Sequence, residues 1–312
     1  MTGLVVVGLG VAGIALVPLI RWYVLPNVEL IPLVTDTTVI SAGNATYFDS
    51  HTLSIKGPVR LTVTTHVVSD VAAGRASGDA VWNISTTVDT PDTLKLRDPR
   101  YSLEWTLERW VADRRTGLPV HCCGEQPAFE GNVYVKFPFD VAKGDYDLWN
   151  PRAKHAYPVH FTGVETVSGH QLYRFDGPVP ATDVATLQVP GPLVGLPGSA
   201  GMVTVHQYYR DSDSEVLVDP TSGVVVSETQ HPTVTFRLPD SDQDRFTVLS
   251  ATFASEPASV RTVLDLVDST DRQLLLIKDT VPTVALWVGP VLVVLGAVQL
   301  VFALRAARTG LR

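Results

Sequence analysis

Two stretches without a charged residue bracket this chain of 312 residues, one from Leu4 to Ile20 and the other from Thr280 to Leu304. A helix needs about 20 apolar residues to cross the ~30 Å hydrocarbon core of a bilayer. Each stretch is long enough. The expectation is a transmembrane helix over 4–25, a domain over 26–279, a second transmembrane helix over 281–304 and a basic tail over 305–312. For the first stretch a cleaved signal peptide is the alternative. However, Lys and Arg are missing from its N-terminal flank, no A-x-A-like site follows, and Trp22 and Tyr23 have the character of interface aromatics. For the second, a buried core helix is the alternative, but residues 281–304 are apolar on every side and end in a basic tail.

Arg305, Arg308 and Arg312 in that tail, against Arg21 on the outer flank of the first helix, place both termini in the cytoplasm by the positive-inside rule. The expected localisation is the plasma (inner) membrane, with residues 27–279 on the extracytoplasmic, periplasmic side. All 32 acidic residues lie in that exterior segment, whereas Arg21 and the three tail arginines take four of the 24 basic residues out of it. The segment is left with an excess of 12 negative charges. Phosphate neutralisation needs a basic face, so no nucleic-acid partner is expected.

Between the apolar stretches the hydrophobic pattern has period two and is rich in β-branched residues, which predicts strands. They are expected over 61–68, 80–87, 103–111, 132–137, 202–209, 223–228, 233–238 and 246–253. Turns are expected at Gly57-Pro58, Thr90-Pro91-Asp92, Gly177-Pro178 and Pro239-Asp240-Ser241. The clearest hairpin runs over 216–226, where Pro220 presets φ and Gly223 can take the left-handed position. A helical segment is expected at about 255–279. The fold class expected is therefore a mainly β extracytoplasmic domain, barrel-like or sandwich-like and able to enclose a lipid cavity, flanked by N- and C-terminal transmembrane helices.

The glycines at 8, 10 and 13 follow Val5-Val6-Val7, with Glu29 nineteen residues beyond Gly10. This spacing matches a dinucleotide fingerprint, but that motif belongs between a strand and a helix in an alternating β/α domain. Here Pro18 and Arg21-Trp22 follow, and Gly8 with Ala12 reads instead as a small-residue pair on a membrane helix. The only cysteines, Cys122 and Cys123, are adjacent. They leave three choices: a vicinal disulfide, two free thiols, or pairing with another chain. A structural pair is the expectation, because two thiols and His121 fall short of a zinc set. Asp211, Asp213 and Glu215 read as a solvated acidic turn. No H-E-x-x-H, nucleophile elbow or P-loop occurs. No catalytic residue, metal or cofactor is expected, and the chain is not expected to be an enzyme.

Several short motifs resemble the PorA-type family of mycolic-acid-making actinobacteria. They are Asp113-Arg114-Arg115-Thr116-Gly117, Cys122-Cys123-Gly124-Glu125, Tyr134-Val135-Lys136-Phe137-Pro138-Phe139, Tyr146-Asp147-Leu148-Trp149 and Asp219-Pro220-Thr221-Ser222-Gly223. The resemblance spans nearly the whole chain. It implies a periplasmic factor for lipomannan and lipoarabinomannan biosynthesis that binds or carries a phosphoinositide-anchored precursor, while the family name also carries a porin label. The layout resembles that of class B scavenger receptors as well. The expected function is non-enzymatic glycolipid binding in cell-envelope biosynthesis, with a porin or structural envelope protein, or an enzyme without a recognisable motif, as alternatives. Expected partners are the membrane, a glycolipid such as a phosphoinositide mannoside, and extracytoplasmic mannosyltransferases. A lipid container would be lined by Trp105, Leu107, Trp110, Val133, Val135 and Phe137. Leu193, Val194 and Leu196, in a Pro/Gly-rich apolar loop, would form its portal.

Overall fold

The computed structural model describes residues 2–198 and 201–309, without the side chains of residues 273 and 306–309. The Arg308 side chain and Arg312, on which the expected orientation leans, lie outside the described residues. The chain divides into two compact units, Met1–Leu30 with Asp268–Arg312, and Ile31–Val267.

In the first unit, α1 (Thr2–Leu19) continues through a π-helical turn (Ile20–Val24) into the short α2 (Leu25–Val28). The helix therefore reaches three residues past the expected end at 25. Its partner α6 (Val281–Thr309) is entered through a second π-helical turn, Leu276–Thr280. Gly8, Gly10 and Gly13 all lie within α1, so the strand and turn that a dinucleotide fingerprint requires are not there. Backbone approach is what the glycines permit instead. A Cβ on Gly10 would fall 2.6 Å from the Gly289 carbonyl oxygen, and one on Gly3 would fall 3.0 Å from that of Gly296. Each contact pair is seven residues on from the other, two turns of each helix. Gly8, expected in this role, faces open space. Most other large side chains of α1 and α6 point outward, as lipid-facing residues do.

The second unit is an antiparallel sheet of twelve strands. The first four are β1 (Asp36–Asp49), β2 (Ser54–Ser69), β3 (Ala80–Asp89) and β4 (Glu104–Ala112), forming a meander in the order β4-β3-β2-β1, with the short helices α3 (Val71–Ser77) and α4 (Thr93–Leu96) in the β2–β3 and β3–β4 connections. The others are β5 (Asp145–Asn150), β6 (His155–Val167), β7 (His170–Pro190), β8 (Met202–Val218), β9 (Val225–Gln230), β10 (Pro232–Arg237), β11 (Phe246–Ala251) and β12 (Phe253–Ser255), with β10 pairing β8 and β11, and β9 pairing β8 and β12. The run from β8 to β12 closes on itself. It meets the first meander where β11 and β12 pair with β1. Ala45 opposite Ala251 and Ser41 opposite Ser255 are in one register, so β11 and β12 are one strand interrupted at Thr252. The Thr252 carbonyl turns over Gly43, where a Cβ would lie 1.6 Å from it; only glycine fits.

Three expectations are corrected here. Gly57-Pro58 lies inside β2 and Gly177-Pro178 inside β7, rather than in turns. In β7 the register against β8 shifts between Gly177 and Val179 and again between Val179 and Thr182, so bulges absorb Pro178 and Pro180, which lack an N–H. Residues 132–137 form no strand; their β-type pairing with the sheet is a pair of isolated bridges, Val133–Leu148 and Lys136–Val224. The hairpin over 216–226 forms as expected. Its turn is fixed by the Asp219 carboxylate, which accepts from the N–H of Thr221 and Ser222 and from the Ser222 hydroxyl.

Helix α5 (Pro257–Leu275) begins in this unit. Val263, Leu264 and Val267 pack on Leu172, Leu217 and Val226, and the Ser259 hydroxyl accepts the Ile40 N–H at 2.9 Å. The expected helical segment thus belongs to the β unit as far as Val267 and to the helical unit beyond it.

The two glycines make opposite predictions. Gly10→Ile should lower the thermal stability of the detergent-solubilised chain by about 1–3 kcal/mol equivalent, the cost of overpacking a close contact. Gly8→Ile should leave the melting temperature unchanged, and equal losses for both would contradict the packing described.

Candidate functional site

The connection from β4 to β5 brings the two outer strands of the sheet together. Leaving β4, it forms bridges from Pro119 to Ala112 and from Gln126 to Arg109, and then reaches β5 at Leu148 through Val133. Between these it contributes Phe129 and Tyr134 to an aromatic cluster. Phe129 lies 4.9 Å from Trp149 of β5, and Tyr134 lies 6.5 Å from Trp110 of β4, between ring centroids. Trp82 of β3 packs on Trp110 from the other side, at 5.2 Å.

A buried carboxylate sits in this cluster. The Tyr134 hydroxyl donates to Glu108 Oε2, and the Trp149 Nε1–H donates to Oε1 at 3.4 Å. Burial raises the Glu108 pKa above the ordinary carboxylate value, against the lowering effect of those two hydrogen bonds. Nearby, Arg152, in the turn after β5, pairs with Glu104 of β4 at 3.0 Å. Its Nη1 and the Asp211 Oδ2 are buried without a partner among the described residues. Burial also raises Glu228, and it pushes the Tyr209 hydroxyl up to about 12. Lys136 is brought down to about 7 by burial, with the Asp219 carboxylate opposing; its ammonium lies 3.7 Å from the centre of the Phe139 ring and donates to the Phe137 carbonyl.

Sequence reasoning missed this constellation, because its members are scattered over residues 104–228 and share no spacing. Asp211 is the clearest correction: it is 0% exposed, in the middle of β8 rather than in a solvated turn. Its Oδ1 accepts the N–H of Asp213 and of His231, the residue that interrupts β9 and β10.

The residues expected to line a container fall in two places. Trp110, Val133 and Phe137 are 0–1% exposed and packed among other side chains, and Val135 is half-buried against the Trp110 cluster. Trp105 and Leu107 alternate with Glu104, Thr106 and Glu108 and so take the opposite face of β4, where they are 49% and 65% exposed. The Trp105 Nε1–H donates to the Ser85 hydroxyl at 3.1 Å. This exposed strip continues through Leu103 into the β3–β4 connection, where Leu94, Leu96 and Tyr101 are also exposed. In the expected portal, Val194 is buried and Leu193 and Leu196 are partly so, all against Val205 and Phe236. In the helical unit, Leu9, Leu16, Val284 and Leu292 border an apolar crevice of about 300 Å³.

Cys122 and Cys123 are joined as a vicinal disulfide. The Cys122 sulfur lies 3.7 Å from Asp79 Oδ2.

A mainly β domain joined to two long, outward-facing apolar helices defines a membrane protein. The model of the family described as Porin PorA matches residues 2–298, and the chain belongs to that family. A curated relative, "Porin PorA" of Corynebacterium amycolatum, is 23% identical over 191 residues, covering 48% of this chain and 48% of that protein. The chain thus matches about half the length of this relative. Among solved structures, the enduracididine biosynthesis enzyme MppR complexed with pyruvate is 10% identical, over 72% of this chain and 88% of that one. Its TM-score of 0.13 marks no common fold.

The raised Glu108 pKa fixes the sign of a pH effect. A carboxyl whose folded pKa exceeds its unfolded value of about 4.3 stabilises the fold below that value, and the contribution is lost as pH rises through the folded pKa. Glu108→Gln removes that loss and keeps an oxygen for Tyr134. The melting temperature of the variant relative to wild type should therefore climb as pH rises above about 4.3, the unfolded value. A constant difference would place Glu108 outside the buried environment described.

Proposed function

We propose that the chain is a non-enzymatic, membrane-anchored glycolipid-binding protein of the cell envelope, working on the extracytoplasmic face of the plasma membrane with both termini in the cytoplasm. The observation that carries this reading is the apolar strip of Leu103, Trp105 and Leu107 on the outer face of β4, beside Ser85 and Thr87 of β3. Isolated exposed leucines are ordinary on soluble proteins, but a contiguous apolar strip with an aromatic and hydroxyls beside it marks a binding surface. Such a surface suits a ligand with acyl chains and a sugar head: methylenes cover Leu103 and Leu107, and a sugar ring lies on the Trp105 face. A phosphoinositide mannoside has that chemistry, and lipomannan and lipoarabinomannan assembly by mannosyltransferases would be the process served. In this form the lipid is held against the sheet, because Trp110, Val133 and Phe137 fill the interior that the sequence assigned to it.

The porin label of the family supports a second reading, a pore. A β pore formed by one chain would carry an outward apolar band about 25 Å tall, flanked by aromatic girdles. The exposed positions of β6 and β7 instead interleave Val164 and Leu187 with His160, Thr162, Glu165, Asp183 and Gln188 and form no continuous apolar band, which favours lipid binding over a single-chain pore.

The test is lipid capture by the full chain in detergent, read by mass spectrometry of co-purified lipids and by transfer of a phosphoinositide mannoside between vesicles. Burying a leucine contributes about 1.5–3 kcal/mol, so Leu107→Asp should weaken transfer by roughly tenfold or more while the melting temperature stays within about a degree. Ion conductance in planar bilayers, with no lipid captured, would favour the pore.

A further inference from the structure

The disulfide is poorly explained as a staple. A cross-link stabilises chiefly by closing a loop in the unfolded chain, and one between adjacent residues closes almost none. The loop that holds it is fixed by other means. Gln126 and Arg109 exchange both backbone hydrogen bonds, at 2.7 and 3.0 Å, and the Val120 N–H donates to the Val111 carbonyl. The Arg109 guanidinium donates to the Cys123 carbonyl at 2.8 Å, to Asn83 at 3.0 Å and to Asp70 at 2.8 Å. Breaking the sulfur–sulfur bond would leave these contacts intact, and with them the positions of both cysteines.

A third group converges on the sulfurs from a distant part of the chain. Asp79, just before β3, directs its carboxylate at Cys122, and one ligand atom from each of Asp79, Cys122 and Cys123 lies within 4.8 Å of the others. All three residues are partly exposed, so a reductant or an ion can reach them. Two thiolates and a carboxylate form a ligand set for a thiophilic ion of filled d shell, with a fourth position open to water. Thiolates on one zinc ion sit about 3.8 Å apart, which the bonded sulfurs reach by side-chain rotation once separated.

We propose that Asp79, Cys122 and Cys123 form a redox-gated site for a thiophilic metal ion such as zinc, closed while the sulfurs are bonded and opened by reduction. The reductant is an external dithiol. One of its thiolates attacks a cysteine sulfur, forming a mixed disulfide and releasing the other cysteine as thiolate; its second thiol then displaces the first cysteine and leaves as the oxidised disulfide. The two electrons pass from the dithiol to the protein. Each cysteine thiol loses its proton to solvent as the ion binds.

The test uses the full chain in detergent, titrated with Zn²⁺ against a chromophoric chelator, before and after reduction by a phosphine that is then removed. Cd²⁺ is titrated in parallel for its thiolate charge-transfer absorption. One ion per reduced chain, absent from the oxidised chain, is the expected result. Asp79→Asn should weaken binding by at least about tenfold, since even groups behind the ligands command 10–100-fold. The Cys122→Ser/Cys123→Ser double variant should bind nothing and melt within about a degree of wild type, because the disulfide closes no loop. Circular dichroism checks the fold of each, and Asp79→Glu, which keeps a carboxylate, should restore part of the affinity if Asp79→Asn is unfolded. Binding that is equal in the two redox states, absent from both, or unchanged in a folded Asp79→Asn would overturn the proposal.

Discussion

The β unit depends on how the two outer strands of its sheet are joined. An antiparallel sheet of this width has two edges, and each exposes backbone groups that would pair with another chain if left bare. Here β4 and β5 do not pair with each other. Instead the connection between them runs along β4 at Pro119 and Gln126 and along β5 at Val133, while Glu108 accepts from Tyr134 and Trp149, and Glu104 accepts from Arg152. Side chains and one loop do what a ladder of hydrogen bonds would otherwise do.

That solution puts charge where a soluble domain usually keeps hydrocarbon. Glu108, Asp211, Glu228 and Lys136 are all shifted by burial toward their neutral forms. A buried charge is costly unless paired or neutralised. Hydrogen bonds from Tyr134, Trp149, Gln230 and the His231 backbone reduce the cost, and protonation reduces it further. The interior is thus specified by donors and acceptors as well as by shape. An apolar strip is left on the outer face of β4, where the proposed lipid contact falls.

The helical unit shows a different economy. Lipid offers no hydrophobic drive for two helices to associate, so close backbone approach must supply the attraction. Gly3 and Gly10 against Gly296 and Gly289 give that approach, seven residues apart on each helix.

Much of this was legible in one dimension. Uncharged length alone specified the two helices, since no other structure satisfies the backbone of such a segment in hydrocarbon. Period-two alternation specified β2, β3, β4 and β10, and Asp219 to Gly223 specified a hairpin turn, because these are local properties of the chain. The sequence misled at β7, where Gly177 and Pro178 look like a turn but become bulges once β6 and β8 hold the strand on both sides. It misled again over 132–137, an alternating segment that meets the sheet at single bridges, Val133 to Leu148 and Lys136 to Val224, and builds no ladder. The sequence by itself determined the two apolar helices, about half of the strands and an acidic, mainly β domain between them, while β1, β5, β6 and β7 carried no alternation that marked them. Only the tertiary structure decided that Trp105 faces out while Trp110 faces in, that Asp211 is buried, and that Asp79 meets Cys122. Those outcomes depend on which strands become neighbours, a long-range choice that no local period encodes.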